Sequence, residues 1–438
     1  MDSPDESGTA AQRVFHVEDR AYGARGDGRT DDTRAFMAAA RALAAAGGGT
    51  LTGRAGATYV LFPDSYQRGG VPRTPLASFS RLSGVTIDFP QATLRVPRTV
   101  PFTTPGANVF ELFRFADCSG VICRANVVGH DHVGASVLCG VVPFQFNGAC
   151  RNVTVTGRYT GVFIPAAFVS GSYPGGQGTR DAARRTVGVS LDLNVTNSGY
   201  ATNFRFSGDS ARVRLVTEGV YRSYFPYGVR DHEVWVTSRN AIAADCLLKA
   251  YEGYGLESIR LHYTNRDTTS ALSRTSGAAA IEIDWGDSVP AGFRDLWIDV
   301  NVRYLRPNAF GPVLQVVRHN GGALDTSPRR RGHRLRGLRF GGVIEGPGGA
   351  QSPVINLDFG GSRTHLEEWS GVRFEELRAT GVPDNLLELR GSTGAVHFRR
   401  VSTSGRLTAL VSPERGASIE REEVEEVGLP VGPEFGMA

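Results

Sequence analysis

The sequence predicts an all-β solenoid of about eleven coils with a single helix capping its amino-terminal end. Three observations predict it. A strand pattern returns from residue 80 onward, roughly every 20 to 40 residues. Glycine is abundant, with 55 in a chain of 438 residues, and helical periodicity is confined to the stretch before Gly47. That stretch ends at Gly47-Gly48-Gly49 and passes into alternating segments, Thr50-Leu51-Thr52 and Thr58-Tyr59-Val60-Leu61, as a cap leads into the first strands. The length allows two or three ordinary domains, but a solenoid grows as one core. The division expected is an extension at 1–20, one domain at 21–412 with its cap at 21–61, and a carboxy-terminal extension at 413–438.

The cap opens with a turn punctuated by Gly23, Gly26 and Gly28. Thr30 or Asp31 is placed to cap a helix over 31–46, and Asp31 and Asp32 bring negative charge to its first turn, where the helix dipole favours it. Phe36, Ala40 and Leu43 fall on one face. The motifs Tyr22-Gly23-Ala24, Gly26-Asp27-Gly28, Thr30-Asp31-Asp32-Thr33 and Gly47-Gly48-Gly49-Thr50, followed by Gly56 and Thr58-Tyr59, resemble the amino-terminal cap of the pectate-lyase superfamily. The resemblance covers Ala21 to Leu61 and implies a right-handed parallel β-helix. It leaves activity open, because lyases, hydrolases, epimerases and phage tail proteins share that cap. Asp31 and Asp32 are accordingly read as helix-capping residues rather than as a catalytic or metal-binding pair.

The recurring strands run from Gly84-Val85-Thr86-Ile87 through Gly120-Val121, Asn152-Val153, Gly188-Val189, Ala211-Arg212-Val213, Glu233-Val234, Ser258-Ile259 and Asp295-Leu296 to Gly337-Leu338, Gly371-Val372 and Ala395-Val396. Alternation puts Val121, Val153, Val213 and Val234 inside and Arg212, Arg214 and Arg260 outside. Cys118 and Cys150 precede their strands at equivalent places and are expected to stack at a corner. Side loops are expected after Thr160 through Arg185, after Asp287 and from Asn320 to His333. The basic run Pro328-Arg329-Arg330-Arg331-Gly332-His333-Arg334 is read first as a solvated loop and second as a grip for an anionic ligand.

Charge and cysteine usage exclude several classes. Net charge is +4, without the footprint of nucleic-acid binding, and no apolar run is long enough to span a membrane. The amino terminus lacks the apolar core of a secretory leader, so a cytoplasmic protein is expected, or a secreted one if a leader has been trimmed. Cys118, Cys123, Cys139, Cys150 and Cys246 are odd in number with no CxxC pair, and are expected as free thiols. Lys249 is the single lysine among 48 basic residues. The imbalance is read first as the coding bias of a GC-rich genome and second as a sign that arginine would not serve at that one position.

A second strand precedes most of those above, and its copies carry the candidate site. Aligned by their apolar residues, one outward column runs Glu111, Gln145, Arg205, Lys249, Glu282, Gln315, Asn356, Glu388, and the next holds Asn147, Ser207, Tyr251, Asp284, Asp358 and Arg390. A slip of one residue would reverse the faces. Lys249, Glu282, Asp284 and Tyr251, with Asp231 and His232 beside them, are the candidate catalytic residues. Arg205, Arg230, Asp287, Arg318 and His319 are the candidate substrate-binding residues. Carboxylates on neighbouring coils beside a lysine separate in pKa, which suits acid–base work on a sugar. The alternative is a salt-bridged polar ladder with no chemistry.

The motifs of polygalacturonases of this fold (Asn-Thr-Asp, Asp-Asp, Gly-His-Gly, Arg-Ile-Lys) do not occur in order; Gly129-His130-Asp131-His132 only echoes the third. No metal site is assigned and no cofactor is expected. Pectate lyases of the superfamily bind calcium, and Glu282, Asp284 and Asp287 are the acidic residues that would hold such an ion. The function expected is a carbohydrate-active enzyme working by elimination or hydrolysis in a groove on the middle coils. The alternatives are an intracellular epimerase or cyclase of a small metabolite, and a tailspike-like or adhesive binding module. The partner expected is a carbohydrate or small-molecule substrate, with a monomer for the enzyme and a trimer for the module.

Overall fold

The computed structural model describes residues 13–62, 75–97, 109–129, 140–170, 184–250, 254–266, 279–285, 292–303, 312–317, 333–346, 354–358, 366–381, 385–390, 394–404, 406–408 and 417–426. Across them the chain winds through two parallel sheets, one of 17 strands and one of 12. Every strand of the recurring sequence pattern lies in the larger sheet. Ser119–Val128, Arg151–Thr160, Val187–Thr196, Asp209–Glu218, Arg230–Arg239, Leu256–Arg266 and Gly292–Arg303 follow one another there, each paired in parallel with the next. The smaller sheet takes the shorter strands between them. Its order is Ala77–Ser80, Val109–Ala116, Gly140–Asn147, Ala166–Val169, Thr202–Arg205, Pro226–Tyr227, Cys246–Ala250, Ile281–Trp285, Leu314–Val317, Ile355–Asp358, Asn385–Arg390 and Arg406–Thr408.

The short polar residue or glycine that heads each recurring motif has a backbone cause. Asn152, Ser210, Asp231, Ser258 and Asp295 all sit in the left-handed region (φ 53 to 58), in one column with Gly188 and Gly337. At this corner the chain turns once per coil, and only glycine or a short polar side chain tolerates the geometry at little cost. The next residue then points inward, as Val153, Ala211, His232 and Ile259 do.

The core between the sheets is stacked coil on coil. Phe79, Phe115, Phe146, Phe168 and Phe204 form a continuous pile with centroids 5.3, 5.1, 4.9 and 4.9 Å apart. Such offset stacks add to the apolar burial that holds a solenoid together. Cys118 and Cys150 occupy equivalent corner positions just before the paired Ser119 and Arg151, as expected, and with Cys123 and Cys246 they are buried free thiols. Burial pushes the Cys150 thiol up to about 11. Cys139 lies outside the described residues.

The helix runs Thr33–Ala45 and buries Phe36, Ala39, Ala40 and Leu43 over the open end of that core. Phe36 packs 5.2 Å from Tyr59 and 5.3 Å from Phe89. The capping chemistry differs from expectation. Asp32 is the N-cap residue, but its carboxylate turns back to accept the amides of Arg25 (2.7 Å) and Gly26 (3.2 Å), so it locks the preceding turn. Asp31 accepts the Thr33 amide at 2.9 Å, and Thr30 donates its hydroxyl to Asp27. At the other end the ladder continues past residue 412, where the sequence indicated an extension. Ala417–Glu426 pairs in parallel with Gly394–Thr403. Glu423 is left-handed there (φ 52), which breaks the inside–outside alternation that would reveal a strand.

Candidate active site

The outer face of the smaller sheet carries charge where the strands of successive coils align. Arg205 is the partner of Tyr227, Tyr227 of Lys249, and Lys249 of Asp284. The Lys249 ammonium lies 3.3 Å from the Asp284 carboxylate, with the lysine side chain 21% exposed and the aspartate 1%. Glu282, two residues before Asp284 on the same face, is 4% exposed and sits beside Leu247; its column continues through Gln315, Asn356 and Glu388. The sequence alignment placed Lys249 opposite Glu282, and the structure corrects this to Asp284. The cause is Cys246, which fills the inward slot opposite Ile281 that the alignment had assigned to Leu248. A slip of two residues preserves the face, so Arg205, Lys249, Glu282 and Asp284 still point outward together. Glu111 leaves the column: it pairs with Val142 and bonds Arg114 at 2.6 Å.

The neighbourhood of the pair is partly apolar. Val169, Leu247, Phe225 and Tyr200 form a buried cluster on this side of the sheet, with Tyr221 and Tyr227 packed on it. Tyr200 stacks on Phe225 at 5.3 Å, and Phe225 contacts Tyr227 at 4.4 Å. Asn203, buried two residues before Arg205, has an amide oxygen with no hydrogen-bond partner among the described residues. An ion pair set among aromatic rings feels a weaker dielectric than one in water, and a buried carboxylate is held in place by its cation. Asp284 thus orients Lys249 while leaving its ammonium accessible.

The other candidates separate. His232 belongs to the core of the larger sheet: its ring bonds the Tyr224 hydroxyl (2.7 Å) and the Gly208 carbonyl (2.8 Å). Burial holds its pKa down at about 3. It is a neutral packing residue and leaves the site. Asp231 occupies the left-handed corner column and lines a cleft of about 490 Å³ with Arg260, Trp297 and Arg339 on the larger sheet. Arg230 lies 3.5 Å from Asp209 in a different cleft. Tyr251, Asp287, Arg318 and His319 lie outside the described residues. Among the described residues no three His, Cys, Asp or Glu side chains are grouped to hold a metal ion, and no helix is long and apolar enough to cross a membrane.

No protein-family model matches the sequence, and no curated protein matches it significantly. Solved structures do. The A-module of the Azotobacter vinelandii mannuronan C-5 epimerase AlgE6 superposes with a TM-score of 0.53 at 13% identity, covering 95% of this chain and 100% of that one. The Streptococcus pneumoniae surface adhesin PfbA (TM-score 0.43, 13% identity, 97% of each chain) and a Thermotoga maritima exopolygalacturonase (0.36, 12%, 94% and 92%) also match. The fold is a right-handed parallel β-helix. At such identities the likeness establishes the fold alone, and of these three only the epimerase module exceeds a TM-score of 0.5.

On this β-helix the sequence missed the strands Ala166–Val169 and Pro226–Tyr227, and with them Tyr227 as the direct neighbour of Lys249. Both are too short for periodicity to register. The aromatic residues Tyr200, Tyr221, Phe225 and Tyr227, crowded within 28 residues, were the available signal.

Proposed function

We propose that the chain is a carbohydrate-active enzyme that works on the outer face of the smaller sheet, with an acidic saccharide as substrate. The observation that carries this reading is the Lys249–Asp284 contact, on a face that also presents Glu282 and Arg205. Elimination at a uronate removes the proton next to the carboxylate and expels the glycosidic oxygen. It needs a base, a positive charge to hold the developing enolate, and a proton donor for the leaving group. Lys249 and Arg205 supply cationic groups, and Glu282 supplies a proton-transfer group. Hydrolysis needs two carboxyl groups flanking the bond, and Glu282 and Asp284 are about 6.6 Å apart along one strand, two rises of ~3.3 Å.

A second reading, epimerisation, is supported by the likeness to the epimerase module, whose name states that it acts on mannuronan. Epimerisation starts with the same proton abstraction and ends by returning a proton to the opposite face of the carbon. The assay distinguishes these outcomes with uronate-containing oligosaccharides. Unsaturated product absorbs in the ultraviolet, hydrolysis creates reducing ends, and epimerisation in heavy water incorporates deuterium with neither. Lys249→Arg and Glu282→Gln should each lower turnover by about 10²-fold or more while leaving the melting temperature near the parent's. Variants that match the parent on a substrate it turns over sink this site. Tight binding without turnover of any tested oligosaccharide would replace the enzyme by a binding module.

A further inference from the structure

The core behind Lys249 is not wholly apolar. One inward column of the larger sheet runs Val195, Thr217, Ser238, Asn265 and Val302 on successive coils. Three neighbouring coils thus bury polar side chains where the coils on either side bury valine. Ser223 and Asp245 meet this column, in the segments that lead into Pro226–Tyr227 and Cys246–Ala250, and both are buried, Asp245 at 1% exposure.

The hydrogen bonds of the cluster all point one way. Asp245 accepts the Ser223 amide (3.1 Å) and hydroxyl on one carboxylate oxygen, and the Tyr263 hydroxyl (2.8 Å) on the other. A hydroxyl has one proton to give. With those of Ser223 and Tyr263 directed at the carboxylate, Thr217 donates to Ser223 (2.7 Å) and the Asn265 side-chain nitrogen donates to Tyr263. Every proton leans toward Asp245, as around an ionised acid. Burial raises the pKa of this acid, and the hydroxyls of Ser223, Ser238 and Tyr263 act against that. Among the described residues no lysine, arginine or histidine forms an ion pair with it.

What is left over is acceptor capacity. The Asn265 amide oxygen has no hydrogen-bond partner among the described residues. The Ser238 hydroxyl, turned toward the same carboxylate, makes no hydrogen bond of ordinary geometry. A negative charge and surplus oxygens buried together require a positive complement. A proton on Asp245 would cancel the charge but leave the Asn265 oxygen unmatched, and a water would match the oxygen but leave the charge. A hard cation does both, because oxygen atoms are its preferred ligands. One carboxylate among neutral oxygens balances one positive charge, whereas a divalent ion would carry a second, unbalanced charge into the core.

We infer that Asp245, Asn265 and Ser238 bind a monovalent cation, sodium or potassium, inside the β-helix, where it ties three coils together behind the strand that carries Lys249. This stands apart from the proposed activity, so either can fail without the other.

The test is urea unfolding at fixed ionic strength in sodium chloride, potassium chloride or choline chloride. Choline is too large for a site in the core and serves as the reference. Sodium or potassium should raise the unfolding midpoint above that in choline. Once that ion exceeds its dissociation constant, each tenfold increase should lower the unfolding constant about tenfold. Asp245→Asn removes the charge at nearly constant shape, and Asn265→Leu removes the second ligand. Each should abolish the difference between the salts, while Arg399→Gln, on an exposed ion pair, should keep it. If a variant fails to fold, the comparison of salts in the parent still decides. Equal midpoints in all three salts, or an ion dependence that survives in Asp245→Asn, would overturn the inference. Stability that rises with acid and is indifferent to the salt would overturn it in favour of a proton on Asp245.

Discussion

On the larger sheet the outer columns are chains of half-exposed ion pairs: Arg124 with Asp88 at 2.8 Å, Arg339 with Glu375 at 2.9 Å, Arg399 with Glu422 at 3.6 Å. On the smaller sheet the same residue types are buried: Glu111 under Arg114, Gln145 beside Asn147, Asp284 under Lys249, and Glu282 next to Leu247. The two faces belong to the same coils and cover the same core. Their difference shows what a polar column means. An exposed pair gains little, about 0–1 kcal/mol, and its residues are interchangeable with other solvated ones. A buried charge must be desolvated and is retained only where something compensates, so the buried column is where chemistry is sought.

The largest effect that tests this contrast removes what both faces share. Deleting residues 21–49 takes away the helix over Tyr59 and Phe89 and opens the edge strands, so the protein should aggregate. Soluble, cooperatively melting material from that deletion would mean that the core is closed without its cap. Next comes the functional contrast. Lys249→Arg and Glu282→Gln should cost about 10²-fold in turnover, whereas Arg339→Gln on the exposed ladder should leave turnover unchanged. Equal losses on both faces would erase the distinction.

A third measurement concerns a histidine buried in the core that both faces share. The His232 pKa is held at about 3, first because burial disfavours the cation, against an ordinary 6.5. The folded value is depressed, so the unfolded chain takes up the proton first as pH falls. Stability from this group is therefore complete above about pH 6.5 and is lost progressively down to about pH 3. One proton over that interval is worth on the order of 5 kcal/mol. His232→Gln should flatten the stability profile between pH 6.5 and 4. An unchanged slope in His232→Gln would place the acid-sensitive group elsewhere. The smallest effect is that of Arg339→Gln on stability, expected within about 1 kcal/mol in chemical denaturation; a larger loss would show that the exposed ladder is coupled to the core.

Much of the fold was legible before any coordinates, because a solenoid repeats its demands. Each coil needs a left-handed corner, then an inward apolar residue, and Gly84, Asn152, Ser258 and Asp295 mark those corners along the chain. The cap helix announced itself through Phe36, Ala40 and Leu43. The candidate site was legible in part. Its face was right for Arg205, Lys249, Glu282 and Asp284, since the alignment error was an even number of residues. Its partners were wrong, because Cys246 and Thr202 occupy inward slots that an apolar alignment passes over.

By itself the sequence determined the periodic quantities: parallel coils, the capped end, the inward and outward faces, and the singular lysine. Tertiary structure alone decided which outward columns are buried, that His232 turns into the core, that Lys249 meets Asp284, and that Arg185, Arg230, Arg294, Arg334 and Arg336 converge on one cleft. The physical reason is range. Alternation and turn chemistry act over a few neighbouring residues and are written locally. Register between coils and desolvation of a face depend on segments 20 or more residues apart, as Leu387 and Leu407 are, and insertions of unequal length hide that distance from the chain.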